Sequence, residues 1–197
     1  MEKTFFSHAS RVVQDQFDSR RIADRIAQLR RQSYFDDWSR GVIAQAPVFF
    51  LATADKEGRP DCSVKAGDVG FVSVISENCL IFPDYDGNGM FRSLGNISEN
   101  HYVGMLFLEF SGERRKLRIN GIASITDSND LLRRYVGAKH IVQVKALDVF
   151  PNCPRYLPKL LIDEPSLHVP KEGYQPPDPV WKSKPDLVDY LPRKEKS

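Results

Sequence analysis

Two short stretches of the sequence combine residue types that could hold an anion. In one of them, Gly87-Asn88-Gly89 precedes Arg92 and Ser93, at the predicted junction between a strand end and a helix. In the other, Ser63 and Lys65 lie two positions apart in a predicted strand, so their side chains face the same side. A helix start offers unpaired N–H groups and a positive dipole end, and both suit a phosphate. Taken singly, each stretch is more often a solvated surface than a binding site.

Other chemical patterns are largely missing from the sequence. It contains no HExxH, no GxSxG and no P-loop motif. Gly87 and Gly89 match the first two glycines of a dinucleotide fingerprint, but Arg92 stands at the third position and no βαβ pattern surrounds them. We therefore reject a Rossmann-type site.

The histidines and cysteines predict no metal site. The histidines are far apart in the sequence, without the spacing of metal ligands and with no obvious haem ligand among them. The cysteines lack a CxxC pair, so we expect reduced thiols. The histidines are His8, His101, His140 and His168, and the cysteines are Cys62, Cys79 and Cys153.

The composition favours an ordinary globular protein. The chain has 197 residues, of which 41% are hydrophobic and 27% are charged, and this fits one domain with appended ends. A formal net charge of +2 and the lack of a basic run argue against nucleic-acid binding. The sequence shows neither a signal peptide nor a stretch of about 20 apolar residues, so we expect a cytoplasmic protein with no membrane partner.

The candidate residues must be positioned by a mostly β structure. Residues 1–44 show apolar residues at helical spacing and predict a helical segment that packs on a larger body. Residues 45–162 hold short runs of β-branched and aromatic residues between Gly, Pro and Asn, which predicts at least six antiparallel strands. Residues 163–197 are rich in proline and predict an extended or disordered tail. The predicted strand segments are 48–54, 61–66, 71–76, 79–82, 104–110, 114–125 and 140–150.

Two short helices are predicted between the strands. Residues 128–137 combine a capping serine with a glycine at the far end, as a short helix does. In the helix that follows the Gly-Asn-Gly turn, Met90, Leu94 and Ile97 lie at helical spacing. We expect these three side chains to dock that helix on the strands.

Basic residues alternate with apolar ones along one predicted strand. Arg114, Lys116 and Arg118 share one face, while Leu117 and Ile119 share the other. A basic face of this kind is usually solvated, so the alternation does not by itself predict a site.

Several motifs in a fixed order resemble those of one known family. The segments FFLATADKEGRPDCSVKAGDVG and FPDYDGNGMFRSLGNI, followed by GMLFLEF, RKLRINGIA and FPNCPRY, are similar to the pyridoxamine 5′-phosphate oxidase-like family of FMN-binding split barrels. The resemblance covers residues 45–160, and FFSHASRVVQDQF near the N-terminus also looks like the branch of the family that carries these motifs. It implies a mainly β (α+β) fold, namely a six-stranded antiparallel split β-barrel with N-terminal helices and short helical insertions.

The same resemblance implies a homodimer that binds FMN in two equivalent grooves at the dimer interface. Residues of the strand at 61–66 would approach the phosphate and the ribityl chain, and the segment at 88–93 would wrap the phosphate. Backbone at the end of the strand 79–82 would pack against the isoalloxazine ring. The implied cofactor-binding residues are Ser63, Lys65, Phe82, Pro83, Asn88, Gly89, Arg92, Ser93, Arg118 and, from the neighbouring chain, Arg155.

We therefore expect an FMN-binding oxidoreductase that is reduced by NAD(P)H or another donor and acts on a small substrate of unknown identity. The flavin carries the hydride chemistry, so no catalytic side chain is predicted. The alternatives are a flavin carrier or sensor without turnover, a protein that binds a deazaflavin or haem instead, or a structural barrel with an empty groove. HVPKEGYQ and WKSKP do not match the substrate residues of the true pyridoxamine phosphate oxidases, so a vitamin B6 substrate is not implied.

Overall fold

The computed structural model describes residues 5–110 and 113–192 of the chain. Its helices are α1 (His8–Gln16), α2 (Arg20–Arg30), α3 (Asp37–Gln45), α4 (Arg92–Glu99) and α5 (Asn129–Leu132). Ser7 and Asp36 cap α1 and α3, because their side-chain oxygens accept hydrogen bonds from the backbone N–H groups of Ser10 and Ser39. These caps set where the first and third helices begin.

Seven antiparallel strands form one curled sheet. They are β1 (Val48–Ala54), β2 (Pro60–Ala66), β3 (Ser73–Val74), β4 (Cys79–Asp84), β5 (Tyr102–Leu108), β6 (Lys116–Thr126) and β7 (His140–Pro151). Their order across the sheet is β2-β1-β5-β6-β7-β4-β3, so β2 ends one side and β4 with the short β3 ends the other. The sheet curls until Lys65 on β2 comes within 3.8 Å of Asp84 on β4. This gap between β2 and β4, which side chains close, is the split of the barrel.

The hydrophobic core fills the inside of the curled sheet. Along β1, Phe49 and Leu51 are buried, and the side chains between them face outward, as the period of two in a strand requires. The Phe49 ring centroid lies 5.0 Å from those of Phe82 and Phe107 and 5.9 Å from that of Phe71. This aromatic cluster joins β1, β4 and β5 across the core.

α3 and α4 pack on the barrel, whereas α1 and α2 are more exposed. Ile43 of α3 and Ile97 of α4 are both 1% exposed. Among the described residues of α1 and α2, none is buried. The segment after α2 joins the barrel through Gln32, whose backbone exchanges two hydrogen bonds with Val149 of β7.

The expected fold class is confirmed: the chain is mainly β, with N-terminal helices and short helical insertions. The strand predicted at 48–54 coincides with β1. The sheet has seven strands rather than six, because the two-residue β3 pairs with β4. The segment predicted at 71–76 shortens to β3, since Phe71 and Val72 are both buried and do not alternate as strand residues would.

Three local predictions are wrong in detail. Met90 lies before α4 and is 62% exposed, so it does not dock the helix, which begins only after Phe91 with its φ of +47°. Arg114 has a φ of +57° and lies outside β6, so the basic alternation holds only from Lys116 onward. The helix predicted at 128–137 ends early, because only the four residues of α5 are helical.

The C-terminal segment runs along the barrel with little regular structure. Its short 3-10 turns are Val180–Ser183 and Val188–Tyr190. Two lysines of the segment form ion pairs with barrel loops: Lys171 lies 3.3 Å from Asp68, and Lys182 lies 2.9 Å from Asp86.

The division of the chain after residues 44 and 162 stays a prediction. Within the described ranges, none of the helices has both the length and the apolar character that crossing a membrane requires.

Candidate functional site

A cavity of about 280 Å³ lies at the split of the barrel. Three parts of the chain surround it: the inner face of β2, the end of β4 with the loop 85–91 that follows, and the first turn of α4. In the described sheet β2 pairs only with β1, so this side of the barrel is closed by side chains. Polar groups from distant parts of the sequence therefore face one another here.

Lys65 and Asp84 face each other across the split. Lys65 stands opposite Phe49 in the β1–β2 register, and this directs it to the inner face. Its Nζ lies 3.8 Å from Asp84 Oδ1, and the two side chains are only 20% and 12% exposed. Burial raises the pKa of the Asp84 carboxyl above its ordinary value, and the nearby positive charges of Lys65, His140 and Lys139 oppose that shift.

A second ion pair borders the cavity nearer to solvent. Arg92 Nε donates a hydrogen bond to Asp61 Oδ1 at 3.2 Å, with the arginine side chain 59% exposed. Beside this pair, the hydroxyl oxygens of Ser63 on β2 and Ser93 on α4 are 3.1 Å apart. Asp61, Ser63 and Lys65 occupy alternate positions of β2, so all three point into the cavity.

The loop before α4 leaves the helix start open to the cavity. Asn88 Oδ1 accepts a hydrogen bond from the backbone N–H of Met90 at 3.0 Å, which shapes the turn. Gly89 and Phe91 adopt φ values of +78° and +47°, both in the left-handed region. No described side chain caps α4. Its first N–H groups and the positive end of its dipole are therefore available to an anion.

Gly89→Ala should destabilise this loop, whereas Gly87→Ala should not. Gly89 adopts a φ of +78°, and a Cβ in that region costs about 1–2 kcal/mol. Gly87 lies in the same loop without a positive φ, and a Cβ there meets no atom within 4 Å. The free energy of unfolding from urea denaturation should fall by about 1 kcal/mol in Gly89→Ala, and in Gly87→Ala it should stay unchanged or rise by up to about 1 kcal/mol. Equal values for the two variants would contradict this loop conformation.

Six of the residues implied by the resemblance line this one cavity. They are Ser63, Lys65, Asn88, Gly89, Arg92 and Ser93. They come from β2, from the loop before α4 and from the first turn of α4, segments that lie about 25 residues apart in the chain. The fold thus brings together the two stretches from which the sequence suggested an anion site.

The other four implied residues lie elsewhere in the single chain. The Phe82 side chain is buried in the aromatic core, and Pro83 is a buried residue within β4. Arg118 lies on the outer face of the sheet, in a separate groove over β1, β5 and β6. Arg155 is exposed in a turn after β7. None of the four lines the cavity at the split.

The sequence reasoning missed two carboxylates in the cavity. Asp61 precedes Ser63 by two positions, so the same alternation that linked Ser63 and Lys65 could have identified it. Asp84 gave no such signal, because β4 reaches β2 only when seven strands curl around the core. With both carboxylates ionised, the charges of these two residues balance those of Lys65 and Arg92.

The sequence also matches an established family model. The model described as pyridoxamine 5′-phosphate oxidase matches residues 35–155, which is more than half of the chain. The chain belongs to the pyridoxamine 5′-phosphate oxidase family. The match includes α3, all seven strands and the whole cavity, while α1, α2 and most of the C-terminal segment lie outside it. No curated protein matches the chain significantly.

Several solved structures are similar to this chain at low sequence identity. A Lactobacillus delbrueckii protein assigned as a pyridoxamine 5′-phosphate oxidase is 16% identical, with a TM-score of 0.50 over 61% of this chain and 98% of its own. An FMN-binding protein from Syntrophomonas wolfei is 12% identical, with a TM-score of 0.47 over 72% and 97%. HupZ of Group A Streptococcus is 18% identical, with a TM-score of 0.47 over 59% and 93%. At such identities the likeness concerns the fold alone.

Proposed function

We propose that the protein is an FMN-binding flavoprotein and that the cavity at the split holds the phosphate end of FMN. The observation that supports this most strongly is the convergence of Lys65, Arg92 and the uncapped start of α4 on one cavity. A phosphate needs several donors and positive charge at one place, and a helix start with nearby Lys and Arg side chains supplies both.

The donor set of the cavity fits a phosphate monoester. Arg92 can donate two parallel hydrogen bonds and Lys65 adds a compact positive charge, and each charge-assisted bond contributes about 1.5–3 kcal/mol. The hydroxyls of Ser63 and Ser93 lie side by side and can rotate to donate toward the same point. Residues of two separate elements thus offer donors to one anion.

We infer from the size of the cavity that it would hold only part of FMN. Its volume of about 280 Å³ lies slightly below the usual range for ligand pockets, which is roughly 300–1,000 Å³. We infer that the ring extends toward a second copy of the chain in a homodimer. The outer face of β1, β5 and β6 suits that contact, because it carries two shallow, largely apolar grooves that include Phe50 and Tyr102. Arg118 lies in one groove, and Arg155 would come from the other copy.

We further propose an oxidoreductase that takes electrons from NAD(P)H or another donor and acts on a small substrate. Bound FMN supplies the hydride or electron transfer, so the protein needs to bind and orient rather than to provide an acid–base pair. A carrier or sensor, or a protein that binds a deazaflavin, would use the same phosphate contacts. Haem has less support, because no described histidine lines the cavity.

The phosphate assignment is tested by comparing FMN with riboflavin, which lacks the phosphate. Titration of the apo-protein, followed by flavin fluorescence, should show FMN binding at least about tenfold more tightly than riboflavin. Equal affinities would mean that the cavity does not hold the phosphate.

The FMN-loaded protein should lose its flavin absorbance when mixed anaerobically with NADH or NADPH. The expected cause is transfer of a hydride from the nicotinamide to the flavin. If neither nucleotide reduces the flavin, the hypothesis of an NAD(P)H-dependent enzyme fails. The protein would then use a different electron donor or act as a flavin carrier or sensor.

A further inference from the structure

The cavity contains as much negative as positive charge before any ligand binds. Lys65 lies 3.8 Å from Asp84, and Arg92 lies 3.2 Å from Asp61. A phosphate monoester adds up to two further negative charges at neutral pH. Binding therefore places the phosphate beside carboxylates as well as beside its donors, and like charges at such short range repel strongly in a low-dielectric site.

The two carboxylates differ in how they can respond to that repulsion. Asp61 accepts a hydrogen bond from Arg92 and is 22% exposed, so water can screen its charge. Asp84 is more buried, and its contact with Lys65, at 3.8 Å, is longer than a hydrogen bond. If Lys65 turns toward a phosphate, Asp84 loses its nearest cation while a new anion arrives. A buried carboxyl in that position lowers its free energy by binding a proton.

We propose that Asp84 takes up a proton from solvent when the phosphate enters the cavity, and that Asp84 thereby sets how cofactor affinity depends on pH. The inference rests on the proposed function, because it takes FMN as the ligand. The proton binds to a carboxylate oxygen of Asp84, and Lys65 is released to pair with the phosphate. Asp84 thus becomes neutral as Lys65 changes its partner from Asp84 to the phosphate.

Charged groups from each neighbouring element act on Asp84 in the free protein. Lys65 faces it from β2, His140 is the first residue of β7, and Lys139 immediately precedes that strand. His140 Nδ1 in turn lies 2.6 Å from Asp127. Burial already raises the pKa of Asp84 before the ligand binds, and loss of the Lys65 contact together with arrival of the phosphate raises it further. A pKa that is higher in the complex than in the free protein means that affinity increases as pH falls between the two values.

Asp84→Asn imitates the protonated carboxyl and should remove this dependence. The dissociation constant of FMN is measured by fluorescence for wild type and Asp84→Asn from mildly acidic to mildly alkaline pH. The ionisation of the FMN phosphate, with a second pKa of about 6, affects both proteins and so largely cancels in their ratio. Wild type should bind about as tightly as Asp84→Asn at the acidic end and progressively more weakly at higher pH, by up to about tenfold per pH unit.

Asp130→Asn is the matched control. Asp130 lies in α5 outside the cavity, its side chain is 85% exposed, and its ion-pair partner Arg133 is not among the charges that act on Asp84. Its substitution should leave the ratio to wild type the same at every pH. A ratio for Asp84→Asn that does not change with pH, or weaker FMN binding in Asp84→Asn than in wild type, would overturn the proposal.

Calorimetry counts the protons directly. FMN binding heats measured at mildly acidic pH in two buffers of different ionisation enthalpy give the net proton exchange, and wild type should take up more protons than Asp84→Asn. The FMN phosphate exchanges its own proton with both proteins, so the difference between them reports on Asp84. Equal exchange by the two proteins, or smaller uptake by wild type, would overturn the role of Asp84 while leaving FMN binding intact. Failure of wild type to bind FMN at any pH would overturn the proposed function and this inference together.

Discussion

Replacing Lys65 by methionine should weaken FMN binding by about 10- to 100-fold, because the cavity loses its more buried cation. Methionine keeps an unbranched apolar chain of similar length, so the packing beside Phe49 should change little. Riboflavin binding should be almost unaffected, since riboflavin has no phosphate for Lys65 to contact. The dissociation constants of both flavins from fluorescence titration provide the measurement.

Lys56→Met is the control for that substitution. Lys56 lies in the turn between β1 and β2, its side chain is 67% exposed, and it does not line the cavity. The Lys56→Met substitution should leave the affinities for FMN and riboflavin unchanged.

Arg92→Met should weaken FMN binding less than Lys65→Met, because Arg92 is 59% exposed and already forms an ion pair with Asp61. Unchanged FMN affinity in both the Lys65 and the Arg92 variants would place the phosphate outside this cavity.

Phe49→Ala should lower the free energy of unfolding by about 3–5 kcal/mol, the usual cost of removing a buried phenylalanine from a packed core. The Phe49 side chain is fully buried, with the rings of Phe71, Phe82 and Phe107 around it at centroid distances of 5.0–5.9 Å. No one neighbouring element can close the space, since the three partner rings come from separate parts of the chain. Urea denaturation followed by circular dichroism gives the stability.

Phe17→Ala is the matched control, because it makes the same chemical change where the ring is 77% exposed. It should alter stability by less than about 0.5 kcal/mol. Similar losses in the two variants would contradict the burial pattern of β1. Because Phe49 stands opposite Lys65 in the sheet, Phe49→Ala should also weaken FMN binding, through displacement of β2.

Much of the fold could be predicted because the buried and exposed positions of a strand alternate visibly in its sequence. In β1, the alternation of buried and exposed positions is visible in VFFLATA, and its limits were predicted correctly. β3 was harder, since Phe71 and Val72 resemble strand residues but are buried as part of a loop. The sequence predicts a start of α4 that is too early, because the spacing of Met90 fits a helix whereas the left-handed φ of Phe91 leaves no signal in the sequence.

The site could be predicted only in part, because its residues come from segments that lie far apart in the sequence. Strand periodicity places Ser63 and Lys65 on one face, and the predicted helix start makes Arg92 and Ser93 candidate anion ligands. Their meeting depends on closure of the whole sheet, which periodicity does not describe. Asp84 shows this most clearly, since it meets β2 only across the split and therefore could not be paired with Lys65 from the sequence.

The absorbance spectrum of the purified protein, recorded before and after incubation with FMN and removal of unbound flavin, tests the central claim most directly. We expect the spectrum of an oxidised flavin, perturbed relative to free FMN, and release of FMN in amounts equimolar with the chain when the protein is denatured. A protein that remains colourless after the incubation, or that shows the spectrum of a haem, would contradict the assignment of FMN to the cavity at the split.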